Sequence, residues 1–241
     1  MAFDSYIGYM MFKNGLPIAY GGAWIFFNRA LIGINIFDAY RGGESSFLFA
    51  QLLRVYHQRF KVDSFSVEPY QYGKDNPEGI SSGAYWFYYR FGFRSDDEKL
   101  KFLAEEETEK IKTIKGYRSP ANVLKQFTNS NITLNLKEKT EEQDAGKISL
   151  EISKYIALNF NGNRSAALIT AKKNFESVFG KKLFQPKTKN EVSVFENWSL
   201  LLLVHPKKIN SKKANSFLAD LLKSKANGKE SDYISLLQKL N

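Results

Sequence analysis

Cysteine is absent from this chain, which excludes a disulfide framework, a thiolate zinc site and a cysteine nucleophile together. Histidine is scarce: with His57 and His205 alone there is no histidine-rich metal centre, and no metal is expected. No apolar run approaches the roughly 20 residues that a membrane-spanning helix needs, and the opening residues MAFDSYIGYM lack the basic-then-apolar layout of a signal peptide. A cytoplasmic protein without membrane contact is therefore expected. Arginine is missing after Arg164, although lysine is abundant there.

What is present suffices for a packed core. The 241 residues are 43% hydrophobic and 25% charged, outside the range of a chain that stays disordered. The net charge of +10 is unevenly placed: residues 1–100 are balanced, whereas residues 151–241 carry 16 basic against 7 acidic side chains. Aromatic residues lean the other way, with 24 of 36 in the first hundred. This change of material predicts a domain at 1–95, a connecting helix at 96–117 and a basic helical domain at 118–241. The connector carries charge on most faces, with Leu100, Leu103, Ile111 and Ile114 spaced as a helical stripe.

The first part has the rhythm of a sheet. SYIGYMMF runs into Lys13-Asn14-Gly15, and Asn-Gly between apolar runs marks a hairpin because both turn positions need positive φ. LPIAYGGAWIFF follows, then Asn28-Arg29, then ALIGINIFDAY, which gives three consecutive strands. Gly21-Gly22 marks a bulge or a close backbone approach. After Arg41-Gly42-Gly43-Glu44-Ser45-Ser46 the period changes, and FLFAQLLRVYHQRF shows a helical face. VDSFSVEPY reads as a further strand, QYGKDNPEG as a loop and SSGAYWFYYRFGF as a helix stopped at Gly92. The order is βββαβα, and the class is α+β. Beyond Ser119-Pro120, NITLNL allows a short strand, and five helical stripes between residues 149 and 240 predict a bundle. Trp198 with Leu200 to Val204 reads as core, and His205 before Pro206 as a helix end.

Two features carry chemistry. The first is a strand, a glycine-containing turn led by Arg41, and a helix. Such a turn aims backbone N–H groups and the positive end of the helix dipole at an anion, so it suits a phosphate or diphosphate. The second is Ala84, Tyr88, Gly92 and Phe93, at offsets of four, eight and nine. Together they resemble the GNAT superfamily of N-acetyltransferases. There an Arg/Gln-x-x-Gly-x-Gly/Ala turn holds the acyl-CoA diphosphate, and an Ala-x-x-x-Tyr-x-x-x-Gly-Phe helix follows.

The resemblance runs from residue 5 to about 95 and implies a partial fold of that family. The strand and two helices that open the family's fold have no counterpart here, which would expose a sheet edge and an apolar face. It implies acetyl-CoA or another acyl-CoA as co-substrate, an unidentified amine as acceptor, and N-acyl transfer as the activity. Arg41 with the backbone of Gly42, Gly43, Glu44, Ser45 and Ser46 is implied to hold the diphosphate. The splayed strand end from Phe37 to Tyr40 is implied to present N–H groups to the thioester carbonyl. Tyr88 is implied to protonate the leaving thiolate. Asp38 and Glu68 are the candidate bases, Asp38 alternatively bonding its own backbone and Glu68 being a solvated carboxylate.

Glu44 departs from the pattern, standing where the family has its most characteristic glycine. A carboxylate there repels a diphosphate. The alternative is therefore a catalytically inactive scaffold whose basic helices bind a protein partner or nucleic acid. Lys181, Lys182, Lys187, Lys189, Lys207, Lys208, Lys212, Lys213, Lys223, Lys225 and Lys229 make the tail a candidate for a polyanion. Lysine without arginine on helix surfaces is the composition of a solubilising face instead.

Overall fold

The computed structural model describes residues 2–137, 144–206 and 214–240. It is an α+β protein with a six-stranded mixed sheet in the order β1-β2-β3-β4-β6-β5. The strands are β1 (Ser5–Lys13), β2 (Leu16–Phe26), β3 (Arg29–Ile36), β4 (Ser64–Val67), β5 (Arg94–Ser95) and β6 (Ile132–Asn135). Asn14 (φ +51°) and Gly15 (φ +81°) form the first turn as their sequence requires. The second turn falls on Phe27 and Asn28, one residue earlier than Asn28-Arg29.

The chain divides into two compact units: Ile7–Trp24 with Arg29–Thr140, and Met1–Tyr6 with Ile25–Asn28 and Glu141–Asn241. The expected divide at 96–117 does not coincide with this partition. Helix α4 (Glu98–Thr113) belongs to the sheet unit, as do α5 (Ala121–Phe127) and β6, which were expected in the helical domain. The reason is strand pairing: β6 lies between β4 and β5, antiparallel to both, and this holds the intervening chain in the sheet unit.

Within the sheet unit, α1 (Ser45–Phe60) and α3 (Ala84–Arg90) pack through aromatic rings. Phe49 of α1 is fully buried against Phe87 and Tyr88 of α3 and against Phe91 and Phe93 after it. Gly92 (φ +95°) ends this stretch in the left-handed region, where glycine is favoured. Tyr85 stacks on Phe127 of α5 at 3.9 Å between centroids. The segment read as a loop, QYGKDNPEG, runs into the short helix α2 (Pro77–Ser81), with Pro77 in its first turn and the Asn76 side chain accepting from Gly79 N–H. On β1 and β2, Met10, Phe12, Leu16 and Tyr20 are exposed.

The other unit is helical: α6 (Ala145–Phe160), α7 (Arg164–Phe179), α8 (Lys189–Val204), α9 (Leu218–Asn227) and α10 (Glu230–Gln238). Thr188 and Glu191 form a reciprocal cap at the start of α8. Trp198, Leu200, Leu201 and Leu202 are buried in its core with Phe3, Phe26 and Phe27, and α8 ends at Val204. Lys207, Lys208, Lys212 and Lys213 lie outside the described residues. Among the described residues, no helix is long and apolar enough to cross a membrane.

Candidate functional site

The site is built where β3 and β4 part. These strands run parallel, in register from Arg29↔Ser64 to Leu31↔Ser66. Beyond that register β3 continues five residues to Ile36, while β4 ends at Val67 and turns at Pro69–Tyr72. Beyond Leu31↔Ser66 the two strands are unpaired, which leaves a gap in the ladder between their ends. Gly33 lies on its β3 side, where an added Cβ would stand 3.1 Å from Nε2 of Gln71. The Gln71 carboxamide therefore lies against the bare backbone of β3. From the other direction, the hydroxyl of Tyr88 donates to Oε1 of Gln71 at 3.3 Å. Tyr88 is 3% exposed, and burial pushes its phenol well above the ordinary value, which keeps the proton on oxygen.

The backbone from Phe37 to Tyr40 differs from the expected open strand end. It forms a single 3-10 turn at Asp38–Tyr40, in which Phe37 N–H donates to Ile18 O and Tyr40 N–H to Phe37 O. Two of the amides assigned to a thioester carbonyl are thus engaged. In the glycine turn that follows, Gly42 N–H donates to the Ser45 hydroxyl and Ser45 N–H to Gly42 O. Among the described residues, the N–H groups of Gly43, Glu44 and Ser46 have no acceptor, as befits the first turn of α1. An added Cβ at Gly42 or Gly43 would meet nothing within 4 Å, so the space over the turn is open.

The charges around this turn are paired. Glu44 does not fill the space over the turn: its carboxylate takes both oxygens to Lys13 Nζ, at 2.6 and 2.7 Å. Arg41 donates through Nε to Ile36 O at 2.9 Å and is ion-paired with Asp38 at 3.2 Å and with Glu78 of α2. The guanidinium expected on a diphosphate is thus occupied by two carboxylates, and Asp38 is committed to Arg41 with its side chain 90% exposed. Glu68 is exposed at the end of β4 and begins the turn that carries Gln71.

Three of these partners carry no sequence signal. Gln71 and Glu78 fall in the stretch read as loop, and Lys13 reads only as a turn flank; their roles come from contacts across 17 to 37 positions of chain. Gly33, a glycine inside an apolar strand, is the signal that could have pointed to the close approach of Gln71.

A separate open groove of about 620 Å³ lies between α2 and α5, lined by Asn76, Ile80, Ser81, Ser119, Leu124 and Lys125, and includes none of the candidate catalytic or cofactor-binding residues. Among the described residues, no group of three or more histidine, aspartate or glutamate side chains is placed to hold a metal ion. No protein-family model, curated protein or solved structure matches this chain.

Proposed function

We propose that the sheet unit is a GNAT-like acyl-CoA site, in which an acyl group passes from the thioester to an amine acceptor. The observation that carries this reading is the parallel β3–β4 pair, which parts on the strand leading to a glycine turn with free N–H groups at the start of a 16-residue helix. The amides of Gly43, Glu44 and Ser46 and the dipole of α1 favour a diphosphate over the turn. Lys13 offsets the charge of Glu44. The gap beyond Leu31 would accommodate the extended pantetheine arm.

In the transfer, the amine nitrogen forms a bond to the thioester carbonyl carbon, the carbon–sulfur bond breaks, and Tyr88 gives its proton to the departing sulfur. Burial keeps its hydroxyl protonated at neutral pH, the state it must hold before the transfer. Glu68 accepts the amine proton, since Asp38 is held by Arg41.

A second reading, a scaffold without turnover that presents the basic helices to a protein partner or nucleic acid, is favoured by the Arg41–Glu78 pair. Calorimetric titration of the full chain with acetyl-CoA separates the two. Binding that weakens with salt and with Arg41→Ala supports the enzyme reading, and absence of binding at millimolar ligand leaves the scaffold.

A further inference from the structure

We infer that Gln71 is a built-in plug, closing the gap between β3 and β4 and holding back the acid. The inference rests on the acyl-CoA reading of this site and concerns how ligand gains entry to it.

The geometry behind it is local and mutual. The 3-10 turn after β4 places Gln71 so that its side chain reaches back across the gap to β3. Gly33 brings the carboxamide close: Nε2, Cδ and Oε1 would lie 3.1, 3.5 and 3.9 Å from a Cβ built there, so a Cβ at 33 would press the carboxamide back by a few tenths of an ångström. The far side of the carboxamide is fixed by Tyr88, whose hydroxyl donates to Oε1. The Tyr88 ring cannot easily turn away, being packed edge-on against Phe49, Tyr72 and Phe93.

Two consequences follow from one side chain. A chain of atoms threading the gap along β3 meets the Gln71 carboxamide and has to displace it. The single phenolic proton of Tyr88 is also committed to Oε1, and one proton cannot serve Gln71 and a departing sulfur at once. Displacing Gln71 therefore opens the gap and releases the acid in the same movement. Ligand affinity is correspondingly lowered by whatever free energy holds the plug in place.

The test is calorimetric titration of acetyl-CoA into the full chain and into Gln71→Ala and Gln71→Met. The alanine variant empties the gap and is expected to bind roughly two- to tenfold more tightly, since neither a side chain nor its hydrogen bond has to be displaced. Methionine loses the hydrogen bond but still fills the gap, so it is expected to tighten binding less than alanine does. Should the alanine variant fail to fold, Gln71→Ser empties the gap equally and carries the same expectation. Equal or weaker binding by the emptied variant overturns the plug while the acyl-CoA site stands, as does tightening by methionine equal to that by alanine. Absence of binding by every variant at millimolar acetyl-CoA removes the acyl-CoA site and the plug with it.

Discussion

Replacing Glu107 is expected to unsettle the sheet unit at a buried carboxylate held by several donors. Glu107 lies in α4 with only 1% of its side chain exposed, and accepts from Lys110 Nζ at 2.8 Å and from the Tyr117 hydroxyl at 2.9 and 3.1 Å. Burial alone would raise its pKa. Hydrogen bonds from Lys110, Ser119 and Tyr117 and the charge of Lys110 outweigh burial and hold it below the ordinary 4.5. Hydrogen bonds to a charged group contribute about 1.5–3 kcal/mol each, and the half-exposed lysine belongs at or below the low end. Glu107→Ala is therefore expected to cost about 2–4 kcal/mol.

The pH dependence has a definite sign. A carboxylate held below its unfolded value adds stability that is fully present above pH 4.5 and is lost as pH falls through its folded value. The gap between wild type and Glu107→Ala in urea unfolding should be widest near neutrality and narrow below pH 4.5. Indole fluorescence is a suitable probe, since Trp86 Nε1 donates to Ser119 at 3.2 Å, beside the cluster. A cost under about 0.5 kcal/mol, no more than an ordinary surface change, or a gap constant between pH 7 and pH 3, refutes the reasoning.

Asp4 gives the opposite sign: burial raises its pKa above 3.8, so its contribution is present below pH 3.8 and lost as pH rises through the folded value. Asp4→Asn should accordingly raise the melting temperature at pH 7 and leave it unchanged near pH 3, which thermal scans at the two pH values check. Gly21→Ala would place a Cβ 2.4 Å from Gly33 O and 2.7 Å from the Tyr9 hydroxyl, which itself donates to Gly33 O, so a loss of about 1–3 kcal/mol is expected in a urea melt. Glu78→Gln frees Arg41 from one of its carboxylates and should tighten acetyl-CoA binding about two- to fivefold, the range of an exposed ion pair; unchanged affinity in calorimetry places Arg41 outside the site.

Local order was legible and pairing at a distance was not. Asn14-Gly15 has one good use, and the hairpin follows from it. The long helices carry their apolar stripes openly, and Gly21 marks the close approach that Tyr9 makes across it. Strand β5 is only two residues long, too short for a period to declare itself; β6 falls in NITLNL, where a short strand was allowed, but its pairing with β4 and β5, which drew α4 and α5 into a unit that composition had divided, had no local signal. Charge on most faces of α4 resembled a linker because its buried positions include Glu107, a carboxylate whose partners come from further along the chain. Phe26 and Phe27 read as strand residues but, with Phe3, are grouped with the helical unit. At the site, the turn after Arg41 was visible as a motif, whereas Gln71, Glu78 and Lys13 are single polar residues whose meaning lies entirely in what they reach.

The central claim is that the N–H groups after Arg41 hold an acyl-CoA diphosphate beside the gap between β3 and β4. Titrating acetyl-CoA into the isotopically labelled full chain, and following backbone amide resonances, tests it directly. The largest shifts are expected at Gly43, Glu44 and Ser46, with Gly33 and Gln71 moving alongside them. Silence at these five positions at millimolar acetyl-CoA, or shifts confined to the groove between α2 and α5, contradicts the claim.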